Sequence, residues 1–382
     1  MSVWDNFWRL DTLDIGFYDN TSAQRATIYA NEKNQVEFYI KVKIVDKNNN
    51  PLDIPDKELI NNIYLVHYAD GNTNLHPWKA TSNKNDYAKV VAWNAQLSEP
   101  KIETYAGEKM VKYYLSASES NRNLDISAGI YIPGVGQFDT SQNGTNTKNG
   151  PRGESGSVFV SPKYKQVKSI PAIDYSKPEN IEVKEIPTAI NNFKEIMSDG
   201  LVQQTNFAWP ATGTWHVGQS SKAQFTIHPK LNKNDYVFHR GDPRRNNVNL
   251  STCRFPAAPD MIRGTGGNNF DAQFVFVNRG AYGVLNDSKF AAVTGANGQY
   301  EYIIGKNDGR HHWTQTLKYG YITVDICNHR IPWSGMSKLK WSDAGKIIEV
   351  DVTDNYGNSG VITISAIKDG NERWPGFYIN GQ

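Results

Sequence analysis

The chain alternates between apolar and polar residues in Gln35-Val-Glu-Phe-Tyr-Ile-Lys-Val-Lys-Ile-Val-Asp-Lys-Asn-Asn-Asn-Pro-Leu52. In an extended chain the apolar residues share one side and the polar ones share the other, because successive side chains point in opposite directions. Residues 46–51 are rich in turn-forming types. The pattern predicts a strand of an antiparallel sheet with one buried face and one face in water. The two sets are Val36, Phe38, Ile40, Val42 and Ile44 on the buried side, and Glu37, Tyr39, Lys41 and Lys43 on the wet side.

The same pattern returns near the other end of the chain. Residues 346–353 place Ile348, Val350 and Val352 on one face, residues 354–360 form a turn, and residues 361–367 run back. Further strands are predicted at residues 25–30, 63–68, 87–93, 110–117, 126–132, 223–228, 273–277, 300–304 and 321–327. The 20 tyrosines and 10 tryptophans, with glycine and asparagine in the connections, favour many short strands over helices.

The sequence therefore predicts a mainly β protein with two antiparallel β-sandwich, immunoglobulin-like domains and one short helix between or beside them. The first domain is predicted at residues 1–168, a linker with a short helix at residues 169–200, and a second sandwich with long loops at residues 201–382. Residues 188–199 carry the helix pattern, because Thr188 is a good cap, the apolar residues fall on one stripe, and Gly200 can end the helix. Residues 134–156 contain few apolar residues and predict a long exposed loop.

Residues 25–52 also resemble the opening strands of bacterial immunoglobulin-like modules of the invasin and intimin type. The likeness is carried by Arg25-Ala-Thr-Ile-Tyr-Ala, a short added segment, the alternating strand, and then Asp46, Asn48 and Pro51. It implies an immunoglobulin-like fold and transfers no site residue. The chain departs from the usual setting of those modules, since it shows no signal peptide, no barrel anchor and no tandem array of similar modules.

Charge and terminal sequence restrict the classes of partner. With 41 basic and 39 acidic residues the net charge is +2, which argues against capture of nucleic acid or an anionic membrane by the whole surface. The start of the chain lacks the basic and apolar regions of a secretory signal, and no apolar run is long enough for a membrane helix. We expect synthesis in the cytoplasm, with any release by a non-classical route, by lysis or through a leader outside this sequence. Cys253 and Cys327 are expected to be buried thiols, with a single bridge left open.

The candidate ligand-binding residues are Arg240, Gly241 and Asp242, because this tripeptide is recognised by integrin receptors when a loop tip displays it. The neighbouring residues His239, Pro243, Arg244 and Arg245 predict such a polar loop. The alternative is an ordinary turn in which Gly241 supplies backbone freedom and Pro243 stiffness.

No strong signature of catalysis or metal binding is present. His311, His312, Cys327 and His329 are metal-ligand types, but surface histidines and ordinary sandwich packing are the favoured explanation. Glu349 and Asp351 share a strand face, as glycosidase carboxylates could, yet the wet face of any sheet gives the same pattern. We therefore predict no enzyme activity, no bound metal and no cofactor.

The leading functional hypothesis is a non-enzymatic binding protein of bacterial type. It would recognise a protein or glycan on a host cell surface through loops of the sandwich. A cluster of exposed tyrosine or tryptophan side chains near asparagine and aspartate would mark the binding site. One alternative is a self-assembling structural protein, a homo-oligomer that docks strand edges or residues 374–379 on neighbouring copies. The other is a membrane-acting toxin with residues 126–142 and 155–168 as hairpin arms, although Pro133 and Pro162 interrupt those arms.

Overall fold

The computed structural model describes residues 2–95, 102, 104–142, 164–186, 219–231, 235–243, 260–265, 269–279, 283–287, 291–294, 301–304, 313–317, 320–332, 347–366 and 377–379. The chain divides into two compact units. The first comprises Met1–Ala172 with Tyr356–Asn358, and the second comprises Ile173–Asn355 with Ser359–Gln382. That residues 1–168 and 201–382 fold as separate domains remains a prediction.

The first unit contains ten strands, one α-helix and a short 3-10 helix among its described residues. The strands are β1 (Arg9–Phe17), β2 (Arg25–Tyr29), β3 (Val36–Val45), β4 (Ile63–His67), β5 (Trp78–Thr81), β6 (Ala92–Trp93), β7 (Lys109–Ala117), β8 (Asn123–Ile132), β9 (Gly136–Asp139) and β10 (Lys165–Ile170). Helix α1 spans Asp56–Asn62, and the 3-10 helix spans Val3–Asn6. One sheet has the order β1-β3-β7-β5, and the other has the order β4-β8-β10-β2-β6 with β9 beside β8. Apolar side chains of both sheets meet in one buried core, so the unit is a β-sandwich.

Strand β3 confirms the prediction from the alternating segment. Its apolar residues are all buried, and the ring of Phe38 packs against Phe17 of β1 with centroids 5.0 Å apart. On the other face Tyr39, Lys41 and Lys43 are partly exposed. Glu37 differs from the prediction, because it is only 2% exposed although it lies on the same outer face. The buried apolar set is Val36, Phe38, Ile40, Val42 and Ile44.

Two features of this unit depart from the simple antiparallel pattern. Strand β1 was not evident in the sequence because a bulge between Leu10 and Thr12 breaks its alternation. Strand β10 runs parallel to β2, with Val167 opposite Ala26, while it pairs antiparallel with β8 on its other side. The remaining pairs of the unit are antiparallel within the described residues.

The second unit is also built of strands. They are β11 (Ile181–Ile186), β12 (Gln219–Pro229), β13 (Phe238–Pro243), β14 (Asp260–Thr265), β15 (Asn269–Arg279), β16 (Gly283–Asp287), β17 (Ala291–Thr294), β18 (Glu301–Ile304), β19 (Trp313–Leu317), β20 (Ile322–Pro332), β21 (Ile347–Asp354), β22 (Ser359–Ala366) and β23 (Phe377–Ile379). The two larger sheets have the orders β11-β12-β20-β15-β14 and β13-β21-β22-β23. A short 3-10 helix spans Pro178–Asn180. The hairpin predicted near the end of the chain is confirmed as β21 and β22, with Val350 and Val352 buried.

The helix predicted at residues 188–199 lies outside the described residues. The α-helix that the structure describes is α1, and in the described part of the chain no helix is long and apolar enough to cross a membrane. Part of the predicted linker is a strand, since β11 pairs with β12 along its whole length and Ile181 is buried. The segment Ile-Glu-Val-Lys-Glu-Ile has the length of a short connection, so the sequence alone did not indicate that it forms a strand.

The segments on which the two alternative functions depend are paired within the sheets where the structure describes them. The toxin hypothesis takes residues 126–142 and 155–168 as arms of a hairpin that refolds, and in the described part of these segments β8 and β10 pair with each other and bury Val167. The assembly hypothesis docks strand edges or residues 374–379 on neighbouring copies, and the described residues 377–379 form β23, which pairs with β22 and buries Ile379. Neither arrangement supports the alternative that invoked it.

A buried hydrogen bond in the second unit gives a first prediction. The Tyr175 hydroxyl donates to Oδ2 of Asp354 over 2.7 Å, both residues are fully buried, and the Tyr175 ring packs edge-on against Phe238. Tyr175→Phe should lower the free energy of unfolding by about 1–3 kcal/mol, because it removes a donor from a buried carboxylate. Urea unfolding measures this loss. Tyr105→Phe is the matched control at a residue that is 67% exposed, and equal losses in the two variants would contradict the prediction.

Candidate functional site

The predicted ligand-binding tripeptide lies in a strand. Arg240, Gly241 and Asp242 belong to β13, where Gly241 pairs with Val352 of β21, so their backbone is extended. The predicted loop tip is therefore wrong at this place, because pairing with β21 and burial of Phe238 hold the segment in the sheet. Strand β13 stands at the end of the described strand order of its sheet. Ligand binding by these residues remains a prediction.

The metal-ligand types of the sequence are placed only in part. His311 and His312 lie outside the described residues, whereas Cys327 and His329 belong to β20. Cys253 also lies outside the described residues. No group of three or more histidine, cysteine or acidic residues within reach of one ion occurs in the described part of the chain. Glu349 and Asp351 share the partly exposed face of β21.

A charged cluster covers part of the outer face of the four-stranded sheet. The buried carboxylate of Glu37 contacts Lys112 Nζ through Oε1 at 2.7 Å and Lys84 Nζ through Oε2 at 3.0 Å. The Lys112 ammonium also lies 3.3 Å from the centroid of the Tyr18 ring. Burial tends to raise the pKa of Glu37, but hydrogen bonds and charges of Lys112 and Lys84 outweigh it and lower the pKa.

Asp19 is the second carboxylate of this cluster. Its pKa is raised by burial and by the charge of Glu37, against the opposing charges of Lys84 and Lys112. Two carboxyl groups with opposite pKa shifts are typical of an acid–base pair in an enzyme. Both Glu37 oxygens are occupied by ammonium groups and the side chain is 1% exposed, so Glu37 cannot reach a substrate. The cluster is therefore structural.

A different arrangement occurs on the outer face of the six-stranded sheet. Tyr64 of β4, Gly129 of β8 and Asp139 of β9 stand side by side on three neighbouring strands. A Cβ built on Gly129 would overlap Cε2, Cζ and Cδ2 of Tyr64, so the face of the ring covers the glycine. Tyr64 is partly exposed to solvent. The result is an aromatic ring lying flat on the sheet.

Polar groups and a second tyrosine surround this ring. Tyr131 follows Gly129 on the same face of β8 and is 44% exposed, and it pairs with the exposed Gln137 of β9. Gly71 approaches Asp139, since its Cβ position lies 3.3 Å from Oδ2. The loop of residues 70–74 is held by side-chain acceptors, with Oδ1 of Asp70 receiving the Asn72 amide and Oδ1 of Asn72 receiving the Asn74 amide. We call Tyr64, Tyr131, Gln137 and Asp139 the Tyr64 site.

The charge state of the Tyr64 site is fixed near neutral pH. Burial and the neighbouring Asp139 carboxylate raise the pKa of Tyr64 to about 12. The hydroxyl therefore stays protonated and can both donate and accept hydrogen bonds. Asp139 Oδ1 accepts the backbone amide of Ser141 over 2.9 Å, which holds the carboxylate in place. The site offers a ring face, an amide and an oriented carboxylate on rigid strands.

No family model and no curated protein matches the sequence. The chain has weak structural likeness to the C-terminal domain of the Streptococcus pyogenes antigen I/II-family protein AspA, at 7% identity and a TM-score of 0.22 over 94% of this chain and 99% of that one. A second likeness is to the serine-rich repeat adhesion glycoprotein Srr1 of Streptococcus agalactiae, at 8% identity and a TM-score of 0.18 over 92% and 96%. A third is to the CupB6 tip adhesin of Pseudomonas aeruginosa, at 8% identity and a TM-score of 0.15 over 93% and 97%. Such scores carry no weight for function, which has to be argued from the side chains.

Proposed function

We propose that the protein is a non-enzymatic binding protein that recognises a cell-surface glycan through the Tyr64 site. The observation that carries the proposal is the Tyr64 ring, which lies flat over Gly129 beside the Asp139 carboxylate. This arrangement supports binding by a sheet face, whereas the sequence had suggested loops.

The chemistry of the Tyr64 site fits a sugar ring. One face of a pyranose is lined by C–H groups, which gain dispersion energy when they pack on an aromatic face. The ring edges carry hydroxyl groups, which need donors and acceptors at fixed places. Asp139 and Gln137 supply acceptors and amide donors, and Tyr131 adds a second exposed ring. A few placed polar groups around aromatic side chains are typical of small-molecule sites.

A binding role agrees better with the described residues than catalysis does. The carboxylate pair with split pKa values, Asp19 and Glu37, is blocked by the two lysines. At the Tyr64 site the Asp139 carboxylate is fixed by the Ser141 amide, and the tyrosine hydroxyl is a poor acid because its pKa is about 12. The tyrosine hydroxyl therefore suits hydrogen bonding to sugar hydroxyls more than proton transfer at neutral pH.

Tyr64→Ala should weaken glycan binding by about tenfold or more, since a stacked ring contributes about 1.4 kcal/mol or more. The first experiment probes the full chain on an array of neutral, sialylated and sulfated oligosaccharides. The oligosaccharide with the strongest signal, called the lead oligosaccharide below, is then titrated by calorimetry into wild-type protein and the variant. Tyr64→Phe keeps the ring and should lose far less affinity.

Tyr105→Ala is the control for nonspecific loss of a surface tyrosine, because Tyr105 is exposed and lies outside the site. An unchanged unfolding midpoint shows that each variant is folded. Saturable binding that Tyr64→Ala and Tyr105→Ala reduce equally, or no binding to any array member, would refute the proposed function.

A further inference from the structure

The ring-over-glycine arrangement occurs a second time, on the other sheet of the first unit. Gly16 of β1 pairs with Tyr39 of β3, and a Cβ built on Gly16 would overlap Cζ, Oη and Cε1 of the Tyr39 ring. The ring face therefore covers the glycine, as Tyr64 covers Gly129. Tyr39 is partly exposed to solvent. Neither glycine has room for a side chain beneath its tyrosine.

Charged groups flank the Tyr39 ring on neighbouring strands. Asp14 of β1 and Lys41 of β3 are opposite one another, two residues from the Gly16–Tyr39 pair, and Lys112 of β7 is opposite Tyr39. The Lys41 ammonium lies 5.8 Å from the ring centroid. A carboxylate that accepts hydrogen bonds and an ammonium group that donates them, those of Asp14 and Lys41, thus lie on the strands beside the ring. These are again the groups that hydroxyls of a sugar require. The Lys112 ammonium is held by Glu37, so we call Tyr39, Asp14 and Lys41 the Tyr39 site.

The two sites point away from each other. Phe38 and Ile40, the neighbours of Tyr39 in sequence, are in the same buried core as Ile63 and Leu65, the neighbours of Tyr64. Because side chains alternate along a strand, Tyr39 and Tyr64 project from opposite outer faces of one sandwich. A long glycan chain bound at one face leaves the other face accessible.

We propose that the first unit binds two sugar segments at once, one at the Tyr64 site and one at the Tyr39 site, and so links two glycan chains. This inference rests on the proposed function, since it assumes that a tyrosine over a glycine is a sugar platform. It adds a second site and a bridging role that a single platform does not imply. Because the two sites lie on opposite faces, each can hold a separate glycan chain at the same time.

The number of lead oligosaccharide molecules bound per full-length chain tests the inference. Calorimetry should give two for wild-type protein, one for Tyr39→Ala, one for Tyr64→Ala and none for the double variant. The full chain should link separate particles coated with the lead oligosaccharide, and each single variant should not, because only one attachment remains. Tyr39→Phe keeps the platform and should retain a stoichiometry of two.

The outcomes separate this inference from the proposed function. One molecule bound by wild-type protein, lost in Tyr64→Ala and kept in Tyr39→Ala, overturns the second site and leaves the function intact. One molecule lost in Tyr39→Ala and kept in Tyr64→Ala overturns the assignment to the Tyr64 site and also the bridging role. No saturable binding by wild-type protein overturns both. Should Tyr39→Ala fail to fold, Asp14→Asn together with Lys41→Gln removes the flanking charges and should also reduce the stoichiometry to one.

Discussion

Replacing Phe38 by alanine should lower the free energy of unfolding of the first unit by about 3–5 kcal/mol. Phe38 is fully buried in the middle of the alternating strand, and its ring contacts Phe17 of the neighbouring strand. The variant loses the transfer free energy of the ring and leaves a cavity between the two sheets. Urea unfolding monitored by tryptophan fluorescence measures the change.

Phe38→Leu is the matched variant, because it keeps most of the apolar volume. Phe38→Leu should lower the free energy of unfolding by less than about half as much as Phe38→Ala does. A loss below about 1 kcal/mol for Phe38→Ala would contradict the position of this strand face in the core.

Removing the two lysine ammonium groups that contact Glu37 should have the second large effect on the free energy of unfolding. The double variant Lys84→Met, Lys112→Met leaves the buried carboxylate without the two cations that contact it. An uncompensated buried charge costs about 3–5 kcal/mol. Because both lysines are partly exposed and screened by water, we expect about 2–3 kcal/mol here. Adding Glu37→Met should restore most of the loss, and a triple variant as unstable as the double one would refute this account of the cluster.

The contribution of Glu37 to the pH dependence of the unfolding free energy should change sign in the double variant Lys84→Met, Lys112→Met. In the wild-type protein the folded pKa of Glu37 is below the unfolded one, so its contribution is present above the unfolded pKa and is lost as the pH falls through the folded pKa. Without the lysines, burial raises the folded pKa of Glu37 above the unfolded one. The stability that Glu37 contributes is then present below the unfolded pKa and is lost as the pH rises through the folded pKa. The stability difference between the two proteins should therefore narrow from pH 7 toward about pH 4, near the ordinary pKa of glutamate. A difference independent of pH would contradict the assignment.

The sequence predicted the strands whose alternation is regular. Residues 36–44, 348–353 and 362–365 alternate between apolar and polar types, and they lie in β3, β21 and β22. Strand β1 escaped prediction because its bulge shifts Leu10 out of step with Leu13. The segment around Gly241 was read as a turn because local residue types favour one, while its pairing with β21 is a contact distant in sequence.

The candidate site was harder to predict than the fold. Tyr64 and Gly129 are ordinary residues in their own strands, and only the strand register places the ring over the glycine. The same holds for Tyr39 and Gly16. Register depends on the hydrophobic pattern of every strand in the sheet, so a single strand does not reveal it. From the sequence we expect tyrosine or tryptophan near asparagine and aspartate at a binding site, and that expectation remains a prediction.

The most direct test of glycan binding at the Tyr64 site is a titration of the full chain, with carbon-13 in its tyrosine rings, by the lead oligosaccharide. Ring signals are assigned from single Tyr→Phe variants. We predict that the signals of Tyr64 and Tyr131 shift saturably while that of Tyr105 does not. Saturable binding that leaves the Tyr64 and Tyr131 signals unchanged, or no shift of any ring at millimolar oligosaccharide, would contradict the proposed site.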